Sequence, residues 1–133
     1  MRQAPRKSTR DAAAEGEALR HAALTIRVDF GAFGYLGPGK IMLMELISKH
    51  GSISSAGKEM GMSYRRAWLL VDTMNQCFKS PVVETATGGQ RGGGAQVTAL
   101  GQEVLRRYLE MERKAAASVT KELAEFGRLM AAR

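Results

Sequence analysis

The run Ser63-Tyr-Arg-Arg-Ala-Trp-Leu-Leu-Val-Asp-Thr-Met-Asn-Gln76 combines arginines, hydroxyls and an amide at helical spacing, the residue types that read a nucleic acid. At about 100° per residue, Ala67, Val71, Met74 and Phe78 converge on one face, and Arg65, Leu69, Asp72 and Gln76 on the opposite one. Arg66 and Thr73 flank the outer set. The apolar set is expected to pack inward, leaving the outer set free to enter a major groove. An arginine can hold guanine O6 and N7 in a bidentate fork or clamp a phosphate, and glutamine can read adenine. Ser63 is expected to cap this helix. Its hydroxyl and the helix N-terminus suit a backbone phosphate. Tyr64 and Trp68 fall between the faces. Phosphate contact is an even choice for Tyr64, and Trp68 is assigned to core or subunit packing rather than base contact. An arginine pair on an isolated helix is usually a solvated face. Here its place at the start of the second helix of a helix-turn-helix favours DNA.

A second candidate is Thr87-Gly-Gly-Gln-Arg-Gly-Gly-Gly94. It lacks the Lys-Ser/Thr ending of a Walker loop and is expected between two strands rather than before a helix. Its glycines let backbone amides approach an anion, and Arg91 at the tip can touch phosphate or enter a minor groove. Thr87, Gln90 and Arg91 are therefore candidate DNA contacts, against the plainer alternative of a mobile hairpin.

Catalytic chemistry has little support. His21 and His50 have no local triad arrangement, and His50 fits better as a cation at a helix C-terminus. Cys77 reads as a core or partly buried thiol, and one cysteine permits neither a disulfide framework nor a thiolate zinc site. The eight methionines read as adaptable packing. Glu110 and Glu112 read as a solvated face interleaved with Arg106, Arg107, Arg113 and Lys114. Neither an enzyme, a cofactor nor a metal site is expected.

The elements that position these groups follow from periodicity. Leu24, Ile26, Val28 and Phe30 alternate with polar residues, which predicts a short strand, followed by a glycine-punctuated loop. Ile41 to Ile47, between Pro38 and Gly51, predicts a buried helix of about three turns. Ser54, itself a candidate DNA contact, is placed as the N-cap of a short helix ending at Gly61. Gly61 and Met62 then join it to the helix opening at Ser63, the spacing of a helix-turn-helix. After Pro81, Val82–Glu84 and Ala95–Thr98 read as the strands of a glycine-tipped hairpin, which makes the arrangement winged. From Ala99, capped by Thr98, to Arg133 one long helix is predicted. Its stripe of Leu105, Tyr108, Val119, Leu123, Phe126 and Met130 is assigned to dimerisation.

The 133 residues thus divide into a basic flexible arm (1–18), a winged helix-turn-helix (19–98) and a dimerisation helix (99–133). The fold class is mainly α with a small β wing. Lys and Arg number 20 against 13 Asp and Glu, a net charge of +7 that favours a polyanionic partner. The arm carries Arg2, Arg6, Lys7 and Arg10 without an acid, and serves equally well as a DNA-touching or a solubilising tail. It lacks a signal peptide's apolar core, and no apolar run is long enough to span a bilayer, so a cytoplasmic protein without membrane association is expected.

Gly51-Ser-Ile-Ser-Ser-Ala, Met60-x-x-Ser-Tyr-x-x-Ala-Trp68 and Met74-Asn75 resemble the DNA-binding domain of the ModE family of molybdate-responsive transcriptional regulators. Pro81-Val-Val, Thr87-Gly-Gly-x-x-Gly-Gly-Gly-Ala95 and Val97-Thr-Ala-Leu-Gly101 continue the match, which covers about residues 24–125. The wider resemblance is to the LysR-type winged helix-turn-helix. The resemblance implies a homodimer on a palindromic operator in double-stranded DNA, with Ser63, Tyr64, Arg65 and Arg66 opening the recognition helix and Arg91 at the wing tip. It extends to control of molybdenum-related genes. Full-length members add C-terminal molybdate-binding domains. This chain stops at Arg133, which leaves direct molybdate binding in doubt. Two other functions are weighed beside this one: a protein-interaction module docking through its terminal helix, and a metal-oxyanion sensor using the dimer seam.

Overall fold

A computed structural model describes residues 23–86 and 94–131. The basic arm and the wing tip, with Thr87, Gln90 and Arg91, lie outside the described residues. One compact unit runs from Thr25 to Met111, and the described residues from Glu112 onward belong to a second. Among the described residues the fold is mainly α, with two small antiparallel sheets.

The alternation at the start survives as alternating burial, with Leu24, Ile26, Val28 and Phe30 half-buried and the last three packed against the core. Pairing is shorter than predicted: strand β1 is only Val28–Asp29. It pairs with β2, Tyr35–Leu36, inside what reads as a loop. A 3-10 turn at Gly31–Phe33 makes the reversal, opened by the Asp29 carboxylate accepting from Gly31 N at 2.9 Å. Tyr35 is held by cations, with the Arg27 guanidinium and the Lys40 ammonium each 3.7 Å from its ring centroid. Lys40 is buried and donates to the Tyr35 carbonyl at 3.1 Å, so its charge keeps a partner inside the fold.

Helix α1, Pro38–His50, places proline in the first turn and ends at Gly51 in the left-handed region. Leu43, Met44 and Ile47 are fully buried. Helix α2 is Ile53–Glu59, and its cap is Ser52, not Ser54: Ser52 Oγ accepts from Ser55 N at 3.1 Å. Starting at Ile53 puts Ile53, Ala56 and Gly57 on the inner side, and burial of Ile53 sets the register. Helix α3, Tyr64–Cys77, starts as predicted, with Ser63 Oγ accepting from Arg66 N at 3.1 Å. Gly61, at φ 72, turns the chain between α2 and α3. The two helices cross so closely that a Cβ on Gly57 would lie 2.8 Å from Ala67 Cβ.

Strands β3, Val83–Ala86, and β4, Gly94–Val97, form the hairpin, with Val83 opposite Val97 and Ala86 opposite Gly94. Helix α4, Ala99–Ser118, is capped by Thr98, whose Oγ1 accepts from Gly101 N at 3.0 Å. The predicted single terminal helix is broken. Val119 leaves helical geometry (φ −123°, ψ 25°), and α5 runs over Thr120–Leu129. The hydroxyls of Ser118 and Thr120 donate to Ala115 O and Ala117 O, competing with the ladder on both sides of a β-branched residue.

Candidate nucleic-acid interface

Helix α3 presents the predicted surface. Ala67, Val71 and Met74 are buried, while Arg65, Arg66, Leu69, Asp72, Thr73 and Gln76 are exposed. Phe78, the fourth inward residue, is half-buried and packs edge-on against Phe30 at 5.6 Å. Neither Arg65 nor Arg66 has an ion-pair partner among the described residues. Both guanidiniums keep their donors for an external anion. The Ser63 oxygen accepts from the helix backbone, which leaves its O–H free to donate outward.

The polar groups further along α3 are partly committed. Gln76 Nε2 donates to Asp72 Oδ2 at 2.9 Å, which orients the amide and gives the lone acid of this face a partner. Thr73 Oγ1 donates back to Leu70 O at 2.8 Å and keeps only acceptor capacity. Trp68 is not a core residue of this chain. It is 37% exposed and meets Tyr64, 57% exposed, edge-on at 6.2 Å. Ser54 is exposed on the first turn of α2.

The dimerisation stripe is not one surface. Leu105 and Tyr108 are buried within the Thr25–Met111 unit, and Tyr108 donates its hydroxyl to Ile26 O. Val119 sits at the helix break and Leu123 is half-buried. Phe126 at 61%, Leu129 at 80% and Met130 at 52% are exposed. Glu110 and Glu112 are half-buried rather than solvated, and Glu103 on α4 pairs with Arg107 at 3.1 Å and Arg106 at 3.9 Å. His50 closes α1 as expected and also pairs with the Glu59 carboxylate at the end of α2. Cys77 is half-buried, its thiol directed at Phe33 O.

One role in this region escaped the sequence reading, in which Asn75 counts only toward the family resemblance. Asn75, half-buried on α3, accepts with Oδ1 from Val82 N (2.8 Å) and Val83 N (3.1 Å), and donates with Nδ2 to Val83 O (3.0 Å). A polar residue beside the apolar face, just before Pro81-Val-Val, was the available signal. Unlike a helix cap, a side chain's bond to a backbone group beyond its own helix has no local sequence pattern.

Helices α2 and α3 followed by a hairpin and a capped helix define a winged helix-turn-helix. No protein-family model matches the chain. Among curated relatives, the molybdenum-pterin-binding protein MopA of Rhodobacter capsulatus is 46% identical over 73 residues, 55% of this chain and 28% of MopA. The molybdenum transport protein ModE of Azotobacter vinelandii is 37% identical over 91 residues, 68% of this chain and 33% of that protein. The DNA-binding transcriptional dual regulator ModE of Escherichia coli K12 is 42% identical over 74 residues, 56% of this chain and 28% of the regulator. Over the stretch they share, the chain is similar to ModE-type proteins. That stretch spans about a third or less of the length of these relatives.

Proposed function

We propose that the chain is a DNA-binding transcriptional regulator that engages a palindromic operator as a homodimer. The carrying observation is the outer face of α3, where Arg65 and Arg66 stand exposed without acidic partners beside a hydroxyl that can still donate. Recognition uses Ser63, Tyr64, Arg65, Arg66, Leu69, Asp72, Thr73 and Gln76, with Ser54 on backbone phosphate and Thr87, Gln90 and Arg91 supplying the wing contacts. Phosphate contacts supply much of the affinity and make it salt-sensitive. The names of the relatives support DNA binding, transcriptional control and a connection of the regulated genes with molybdenum. The exposed Phe126, Leu129 and Met130 support self-association through the C-terminal segment.

Selection of bound duplexes from a random pool tests this. A two-fold symmetric motif with half-sites about one helical turn or a multiple apart is expected. Arg65→Ala and Arg66→Ala should each weaken binding to the selected site by about 1–3 kcal/mol where the arginine reads a base. A pool that returns no enriched motif removes the assignment.

A further inference from the structure

The hairpin is seated at its base from three directions. Ala95 N donates to Gly51 O at 2.9 Å, at the end of α1. Thr98 donates from its hydroxyl to Pro81 O at 2.7 Å and from its backbone to Val82 O at 3.0 Å, at the start of α4. The third attachment is Asn75 on α3. Because Val82 O faces Thr98, the alternation of an antiparallel ladder turns the N–H and C=O of Val83 away from β4. The Asn75 amide meets both, and takes Val82 N as well. It stands where a further strand would pair, and ties the hairpin to the helix that carries Arg65 and Arg66.

We infer that Asn75 is a positioning residue that fixes the wing against the recognition helix, so that the two meet one stretch of duplex together. This rests on the DNA-binding function proposed above. Asparagine has a specific chemical fit, since one oxygen must accept from two N–H groups while the nitrogen donates to a carbonyl. Alanine removes all three bonds. Aspartate keeps the acceptors but sets a carboxylate against Val83 O.

The test uses the full chain. Amide hydrogen exchange and thermal unfolding are measured for the wild type, Asn75→Ala and Asn75→Asp, and hydroxyl-radical footprints are taken on the selected duplex below the melting temperature of each variant. Expected for Asn75→Ala are faster exchange at Val82 and Val83 with the α1 and α2 amides unchanged, and roughly tenfold weaker binding. The footprint should lose its flanks while the base preference of the central motif persists. Asn75→Asp should keep slow exchange at the two amides and lose part of the flanking protection. General destabilisation would instead erode flank and centre together. A folded Asn75→Ala protein with wild-type affinity and an undiminished footprint overturns the inference while leaving DNA binding intact. Absence of duplex binding by the wild type overturns both.

Discussion

Ser63 joins local structure to function at one atom. Its oxygen satisfies Arg66 N while its O–H keeps its donor capacity, and Arg65 and Arg66 follow in the first turn. Ser63→Ala should lower stability by about 1 kcal/mol through the lost cap, measurable by denaturant unfolding. Should the hydroxyl also donate to a phosphate, affinity for the duplex falls in addition. Ser63→Gly, which restores most of the cap energy, would separate the two effects. The sequence reveals this serine because a capping serine before an amphipathic run is a local pattern. At Ser52 and Ser54 the same rule fails, since two serines flank one isoleucine and only the burial of Ile53 decides between them. Asn75 was missed for the complementary reason: its partners are backbone groups beyond a turn, and hydrophobic periodicity says nothing about backbone groups.

The pairing of α2 with α3 depends on Gly57. In an open helix, replacing glycine by alanine gains about 1 kcal/mol in propensity. Here the new Cβ would meet Ala67 Cβ at 2.8 Å, and that atom is fixed to its own helix and cannot rotate away. Overpacking of this kind costs about 1–3 kcal/mol, so the steric term wins. Gly57→Ala should lower the melting temperature in calorimetry. An unchanged or raised value would show that the two helices can separate at little cost. Gly101 poses a stronger version, with a virtual Cβ 2.2 Å from Val82 O where α4 meets the hairpin. The helices and the hairpin were readable because each has an apolar period and a punctuating Gly, Pro or Ser. Strand β2 was not, because two residues are too short to show a period. The break at Val119 was not, because it comes from hydroxyl back-bonding without glycine or proline.

The whole chain separates at Met111, where one compact unit ends. Cutting after Met111 removes Phe126, Leu129 and Met130 but keeps Leu105 and Tyr108 in the core they occupy. The shortened chain is expected to retain helical circular dichroism and to be monomeric by light scattering. A dimeric mass would place self-association within Thr25–Met111 instead. Tyr108 also has a bearing on how the unit assembles. Its hydroxyl reaches the carbonyl of Ile26, a partner 82 positions earlier. Contacts of such long separation carry a large loop-closure cost and form late. During synthesis the bond at Ile26 must therefore wait for Tyr108 to leave the ribosome, and a nascent chain stalled before that point holds its first strand pair through Phe30 on Phe78, Lys40 on Tyr35 and Cys77 on Phe33.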